Sequence, residues 1–174
     1  MTDVLLYKGD CLEEMEKIPD GSVDLVLADP PYGTTACKWD SVIPFEPMWD
    51  QLMRVIKPDR AIALFGSEPF SSFQRLSNIS SFCYDWIWDK KFAGNFVQAK
   101  RQPLKTHEII SVFCDGCKMP RYFPQMIDRD KPIKKGGNKQ SAAIPIAITV
   151  ASAMFGTIGK EYSQKFPDSQ LHFS

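Results

Sequence analysis

A chain of 174 residues is long enough for one domain with its own core, and 44% hydrophobic with 24% charged residues excludes a disordered protein. The longest apolar stretch (142–156) contains a proline and is too short to span a membrane, and the N-terminus lacks the pattern of a signal peptide, so we expect a cytoplasmic protein without a membrane partner. Residues 1–85 hold 14 acids and 7 bases and residues 86–174 hold the reverse, a balance that fits either a polyanion partner for the second half or two ordinary solvated surfaces.

Apolar periodicity predicts strands that alternate with helices in the first two thirds of the chain. Strand-forming runs lie at 4–7, 23–28, 61–66, 84–89 and 108–114, and helical spacing lies at 11–18, 45–56 and 69–77. This alternation predicts an α/β fold with a doubly wound, mostly parallel sheet. The run at 61–66 is apolar at nearly every position, which is typical of a strand covered on both faces.

The pattern fails after Cys114, where Pro, Gly and Lys are frequent and no period is sustained. We therefore predict a core in residues 1–114 and a loop-rich appendage with little regular structure in residues 115–174. The "CDGC" segment at 114–117 has the spacing of metal ligands, but the sequence contains no second pair of this kind. We interpret it as a hairpin turn and predict no metal ion.

The residues that follow the run at 23–28 are unusual for a strand end. Asp29 is followed by Pro30 and Pro31, which cannot continue a ladder, and then by Tyr32. Asp29 and the Pro30 carbonyl form a cradle with two acceptors, which suits an amine with two hydrogens, and Tyr32 offers a face for a planar base. The alternative is a turn that only terminates the strand. In an open α/β sheet this edge binds ligands.

Several motifs in order resemble one family. "YKGD", "IPDGSVD", "ADPPYG", "WDKKF", a His-Glu pair before a strand, and "RYFPQM" resemble the amino-group DNA methyltransferases that use S-adenosylmethionine. The resemblance is to members in which the Asp-Pro-Pro-Tyr turn precedes the cofactor loop, many of them from phages and restriction–modification systems. It spans residues 4–126 and implies a methyltransferase fold of the Rossmann-like type.

The resemblance implies a role for each residue of the turn. Asp29 and the Pro30 carbonyl would accept hydrogen bonds from the target amine, with Pro31 completing the turn, and Tyr32 would stack on a base flipped out of double-stranded DNA. A second set of residues would contact the cofactor, and its members are Gly9, Asp10 and Asp29. An N-cap of helix 11–18 is the other role open to Asp10, and one carboxylate can serve both.

The basic half would supply DNA contacts. Lys90 and Asn95 lie in a segment that is near the target strand in relatives, and Lys100 and Arg101 continue it. A second basic segment contains Lys134 and Lys135, which fit either a loop that contacts DNA phosphates or an ordinary solvated surface loop.

The resemblance also implies that adenine N6, rather than cytosine N4, is the methylated atom, because position 29 is Asp rather than Ser. The alternatives are a cytosine-N4 methyltransferase and a non-catalytic DNA-binding remnant.

One part of the family pattern is not found. The sequence contains no "Pro-Thr-Gln-Lys-Pro" segment and no Phe-x-Gly-x-Gly loop, and the nearest segment, "FGTIG" at 155–159, has its glycines misplaced. We therefore expect a sheet that is incomplete at the C-terminus, as in the N-terminal part of a truncated or split methyltransferase. Such a sheet would leave an open edge for a second copy of the chain or for a separate C-terminal chain.

Overall fold

The computed structural model describes residues 3–115, 119–134 and 161–172. The chain divides into two compact units, one formed by Met1–Tyr122 with Ser169–Ser174 and the other by Phe123–Asp168. No helix in the described ranges is long and apolar enough to cross a membrane.

A five-stranded sheet is the frame of the first unit. Its strands are β1 (Val26–Ala28), β2 (Ile62–Gly66), β3 (Phe82–Asp89), β4 (His107–Phe113) and β7 (Gln170–His172), in the spatial order β1-β2-β4-β3-β7. β1 pairs parallel with β2, and β3 pairs parallel with β7. β4 runs antiparallel to both of its neighbours. The α/β class is thus confirmed, with a mixed sheet.

Within the described residues, three α-helices accompany this sheet: α1 (Cys11–Met15), α2 (Phe45–Val55) and α3 (Phe70–Ser77). α2 contributes Met48, Trp49 and Leu52 to the main core, and α1 adds Leu12 and Met15. These apolar side chains pack against strand residues that alternate along β2, as the period of a strand requires. α3 lies beside α2, where the indole N–H of Trp49 donates to Ser77 Oγ at 2.8 Å.

The opposite face of the sheet carries a second apolar cluster. It is formed by strand residues and Ala61, and in the described part of the chain no helical residue belongs to it. Its members are Ala61, Ala63, Phe65, Tyr84, Trp86, Trp88, Ile110, Val112 and Leu171. A doubly wound arrangement, with helices on both faces, is therefore not what the described residues form.

The prediction of a mostly parallel sheet is wrong. Two of the four strand pairings are antiparallel, because β3 returns directly into β4 through residues 90–106, which contain only a short 3₁₀ turn at Phe96–Gln98. A parallel pairing would need a crossover long enough to bring the chain back to the starting edge. The period of the two runs correctly indicates strands, but their direction depends on what connects them.

The predicted strand at 4–7 does not form. Val4, Leu5 and Leu6 have exposed side chains and no strand neighbour in the described structure. A strand is stabilised by its partner rather than by its own propensity, so a run of strand-formers without a partner stays irregular. Helix 11–18 is also shorter than predicted and ends at Met15, after which the N–H groups of Lys17 and Ile18 bond three residues back, to the carbonyls of Glu14 and Met15.

The second unit contains an antiparallel ribbon of β5 (Ile127–Lys134) and β6 (Glu161–Lys165). With β7 it places three strands in the segment predicted to have little regular structure, so that prediction is wrong for these residues. The pairing register shifts between Asp128 and Ile133, a stretch that includes Pro132. Proline lacks the N–H that a ladder uses, and the irregular register removes the alternation by which a strand is recognised.

Candidate active site

One edge of the mixed sheet collects the ends of four strands. β1 and β2 are parallel, so Asp29 and Ser67 follow their carboxyl ends on the same side. Gly66 lies opposite Ile109 and Asp89 lies opposite His107, so β4 begins and β3 ends at this edge. The topology therefore brings the turn after β1 together with Glu108 and Lys90.

The predicted catalytic turn has a defined internal geometry. The Tyr32 hydroxyl donates to Asp29 Oδ1 at 2.5 Å, and the Tyr32 ring stacks on Phe70 with centroids 5.1 Å apart at 29°. Burial raises the pKa of Tyr32, and the hydrogen bond to Asp29 and the charges of Asp29 and Glu108 raise it further. Tyr32 therefore keeps its proton and acts as a donor, while Asp29 is exposed at the surface.

A small cavity of about 300 Å³ adjoins this turn. Its lining consists of the turn itself, Asp29 to Tyr32, together with Thr34, Thr35, Trp39 and Asp40. Trp39 is 74% exposed, which is unusual for an indole and leaves its ring accessible at the rim. The cavity combines two carboxylates, Asp29 and Asp40, with two aromatic side chains, a mixture of polar and aromatic groups that is typical of small-molecule sites.

A larger cavity of about 790 Å³ extends from the turn along β1. Gly9 and Asp10 line one part of it, and Asp29, Pro30 and Pro31 line another, between apolar walls that include Val26 and Leu64. Asp10 also caps α1, since its Oδ1 accepts from the Leu12 N–H at 2.8 Å, so the predicted capping role is confirmed. The residues predicted to contact the cofactor are thus brought into one cavity.

Two ammonium groups of this edge are engaged by neighbouring side chains. Lys90 Nζ lies 2.6 Å from Glu108 Oε1 and 5.8 Å from the centre of the Trp88 ring. Lys105 Nζ bonds to Ser67 Oγ. The ion pair of Lys90 is partly exposed, so its ammonium can exchange Glu108 for another anion at small cost.

The remaining predicted DNA-binding residues have different environments. The Asn95 amide closes its own loop, accepting from the Lys105 N–H at 2.8 Å and donating to the Pro103 carbonyl at 3.2 Å. Lys100 and Arg101 are exposed within that loop. Lys134 is the last residue of β5 in the second unit. Lys135 and the "FGTIG" segment lie outside the described residues.

Two residues of the site were not identified from the sequence. Phe70 lies 37 residues beyond Gly33 and reaches Tyr32 only through the fold, since Glu68-Pro69 directs the chain into α3 beside the turn. Asp40 accepts the N–H groups of Gly33, Thr34 and Thr35. The sequence contained one signal for this role of Asp40. Three small residues, 33–35, have N–H groups that need acceptors, and an acid follows a few positions later.

Two curated relatives match parts of the sequence. The chain is 28% identical over 78 residues to the Type II methyltransferase M.BamHI of Bacillus amyloliquefaciens, a match that covers 39% of this chain and 18% of that protein. It is 56% identical over 27 residues to the Type II methyltransferase M.HinfI of Haemophilus influenzae, covering 16% and 8%. The matches therefore span less than a fifth of the length of these relatives. No family model matches the chain.

Comparison with solved structures gives the fold through one superposition. The chain superposes on the PvuII DNA methyltransferase (cytosine-N4-specific) with a TM-score of 0.52 and 16% identity, over 66% of this chain and 50% of that one. A DNA modification methylase of Thermus thermophilus, complexed with S-adenosyl-L-methionine, gives a TM-score of 0.47 and 18% identity over 67% and 55%. The superposition on the PvuII enzyme shows that the described chain has the fold of part of a methyltransferase, and its sequence is related to Type II DNA methyltransferases. The Asp-Pro-Pro-Tyr type and the preference for adenine stay predictions.

Proposed function

We propose that this chain carries the target-base half of a DNA amino-methyltransferase, which transfers a methyl group from S-adenosylmethionine to adenine N6 in double-stranded DNA. The observation that carries the proposal is the turn after β1, where Asp29, the Pro30 carbonyl and Tyr32 border one cavity. The partial sequence similarity to Type II methyltransferases supports the same class.

In this proposal Asp29 and the Pro30 carbonyl accept the two hydrogens of the amine. Proline fixes the backbone dihedral at its own position and has no N–H to draw the carboxylate away, so both acceptors face one ligand. Holding both hydrogens leaves the nitrogen lone pair directed away from the cradle. Transfer of the methyl group to the nitrogen would break its bond to sulfur, and the proton that the amine releases would pass to water.

Tyr32 and Trp39 would hold the base itself. Phe70 covers one face of the Tyr32 ring at 5.1 Å, so a base stacks on the other face. Because an amine inside a duplex is out of reach of a cavity, the base must be flipped out first. Aromatic stacking contributes about 1–3 kcal/mol per base, which offsets part of the cost of unstacking.

S-adenosylmethionine fits the larger cavity as the methyl donor. Asp10 and Asp29 lie at its two parts, and apolar walls connect them. The cofactor supplies a sulfonium methyl that is already activated, so the chain needs no nucleophile. Asp10 is the acceptor for donors of the adenosine part, because its helix cap uses only Oδ1 and the carboxylate has a second oxygen.

The test is a methyl-incorporation assay on the protein in the full length that its gene encodes. Labelled S-adenosylmethionine and DNA without prior methylation are incubated with the protein, and the DNA is then digested to nucleosides. We expect label in N6-methyladenine and none with Asp29→Ala, while Asp50→Ala, an exposed acid of α2, retains activity. Label in N4-methylcytosine alone would show that the exocyclic amine of cytosine, not that of adenine, is the target. DNA binding without incorporation of label would favour a non-catalytic DNA-binding remnant.

A further inference from the structure

A buried carboxylate organises the backbone directly after the proposed catalytic turn. The Gly33 N–H donates to Asp40 Oδ1 at 2.8 Å, and those of Thr34 and Thr35 donate to Oδ2 at 2.9 and 2.6 Å. Asp40 is only 9% exposed. Hydrogen bonds to an ionised acceptor are stronger than those between neutral groups, so three of them on one carboxylate form a firm anchor.

Glycine is required where this anchored loop begins. Gly33 has φ +68°, and a Cβ at this position would lie 2.9 Å from Val42 Cγ2. The Asp40 N–H donates to the Cys37 carbonyl at 3.0 Å, so the loop also closes at its other end. In the described chain, the hydrogen-bond partners of Asp40 all lie within residues 33–37. Loss of its charge would therefore act on the loop before it acts on the core.

The anchor continues directly into Tyr32. The Tyr32 hydroxyl bonds to Asp29 and the Tyr32 ring stacks on Phe70. The peptide bond that joins Tyr32 to Gly33 carries the N–H that donates to Asp40. Asp40 also lines the same cavity of about 300 Å³ as Asp29 and Tyr32. A shift of the loop would rotate the Tyr32 backbone and with it the face on which a base stacks.

From this geometry we propose that Asp40 is a positioning residue, which fixes Tyr32 against Phe70 and thereby sets the stacking face of the target-base cavity. The inference rests on the function proposed above. Asp40 accepts no hydrogen from the base in this scheme, because its two oxygens already receive the N–H groups of Gly33, Thr34 and Thr35. It acts on the reaction only through the place of Tyr32.

The first experiment compares Asp40→Asn with Asp50→Asn in the same methylation assay, below the melting temperature of both. Asparagine keeps the shape but turns an NH₂ group toward one or two of the N–H donors. We expect kcat to fall on the order of tenfold to a hundredfold, the range that displacement of a positioned group produces. The KM for S-adenosylmethionine stays unchanged, because Asp10 and its part of the larger cavity are not altered. An unchanged kcat would overturn the proposal.

A second measurement does not depend on activity. In NMR spectra we expect the Phe70 ring to shift the ring protons of Tyr32, and the hydrogen bonds to Asp40 to protect the amides of Gly33, Thr34 and Thr35 from exchange. We expect Asp40→Asn to move the Tyr32 signals toward free values and to speed exchange at the three amides, with the signals of the Trp49 and Phe113 core unchanged. Faster exchange with Tyr32 unmoved would refute the positioning role.

A milder variant covers the case in which Asp40→Asn does not fold. Thr35→Val removes the hydroxyl that bonds to Asp40 but keeps the backbone N–H, so we expect the same changes at smaller size, and Thr35→Ser restores the original behaviour. If the unaltered protein shows no methyl transfer, the proposed function fails, while the Tyr32 signals still decide whether Asp40 positions the ring.

Discussion

The Tyr32 hydroxyl donates to the carboxylate of Asp29, three residues earlier, at 2.5 Å. In the proposed function the same carboxylate accepts a hydrogen of the target amine, so the tyrosine hydroxyl and the amine compete for one charged acceptor. The amine either replaces the hydroxyl on Oδ1 or shares the carboxylate with it through Oδ2.

Tyr32→Phe tests this competition. Phenylalanine keeps the ring on Phe70 but removes the competing donor, so we expect the KM for DNA to fall several-fold with the stacking face intact. The gain in binding free energy cannot exceed the energy of the hydrogen bond that Tyr32 makes to the charged carboxylate, about 1.5–3 kcal/mol. It is smaller than this because water hydrates the carboxylate once the hydroxyl is removed. Steady-state kinetics at varied DNA concentration provide the measurement. Tyr32→Ala, which removes the ring too, should raise the KM, and a raised KM for Tyr32→Phe would argue against competition.

The pKa of Tyr32 should report the charge of Asp29. Burial is the largest cause of its raised pKa, followed by the hydrogen bond and the charge of Asp29. We therefore expect Asp29→Asn to lower the Tyr32 pKa without restoring its ordinary value. Because the pKa of Tyr32 is higher in the folded than in the unfolded chain, the protonated phenol contributes to folding stability at every pH below the ordinary tyrosine pKa. This contribution is lost as the pH rises from that value through the pKa of the folded state. NMR titration with labelled tyrosine follows this, and a Tyr32 pKa unchanged in Asp29→Asn would exclude the contact in solution.

Acid should open the loop of Gly33 to Asp40. The Thr35 hydroxyl and then the N–H groups of the loop hold the pKa of Asp40 at about 2, below its usual 3.8. A lowered pKa stabilises the folded loop above pH 3.8 and loses that contribution as pH falls through about 2. Amide exchange at Thr34 and Thr35 should accelerate across this window. In Asp40→Asn the exchange should be fast already at neutral pH and show no step there.

Arg54 of α2 is expected to stabilise α1. Its guanidinium donates to the carbonyls of Met15 and Ile18 at 2.7 and 2.8 Å, at and beyond the end of α1, and the Met15 carbonyl also accepts the Ile18 N–H at 3.0 Å. Arg54→Met keeps the apolar stem but removes the guanidinium donor of the Ile18 carbonyl, one of two donors to the Met15 carbonyl, and the ion pair with Asp20. We therefore expect a loss of about 1–3 kcal/mol in the free energy of unfolding. Arg60→Met removes only a partly exposed ion pair with Asp24, and should cost about 0–1 kcal/mol. Denaturant unfolding compares the two variants, and equal losses would contradict the bridging role.

β1 should make the chain self-associate. In the described structure it has a strand neighbour on one side only, and Leu25 and Leu27 beside the open edge are 56% and 63% exposed. An exposed apolar strand edge pairs with other strands. We expect sedimentation to show association that rises with concentration and is reduced by Leu27→Lys, with Leu76→Lys on α3 as the exposed control. A monomer at all concentrations would mean that this edge is covered in solution.

The sequence predicted those parts of the fold that depend on neighbours along the chain. The period of Met48, Leu52 and Val55 indicated α2, and the apolar run ending at Gly66 indicated β2, because burial of one face or both leaves a local pattern. The direction of β4 could not be predicted in this way. It is decided by the loop of residues 90–106, and a loop without a helix has no periodicity to indicate where it returns.

In the candidate site, too, the residues that could be predicted are those that depend on a local sequence pattern. The turn from Asp29 to Tyr32 was visible because two prolines in succession mark a strand end unambiguously. Phe70 was not, since its contact with Tyr32 depends on β1 and β2 lying side by side. Asn95 shows the opposite case, in which a residue predicted to contact DNA has an amide that holds its own loop. A resemblance gives a position, and the fold decides what the side chain at that position can reach.

The closure of that loop by Asn95 has a consequence for how such a protein can change over generations. Asp89 and His107 are paired in the sheet at the two ends of the loop. Within the loop, the Asn95 amide bonds to the backbone of Pro103 and Lys105. The exposed residues between Asn95 and Pro103, which include Lys100 and Arg101, are therefore separated from the sheet by two sets of hydrogen bonds. We expect substitutions there to leave the register of β3 and β4 unchanged. This stretch could then vary and acquire new contacts without altering the turn after β1.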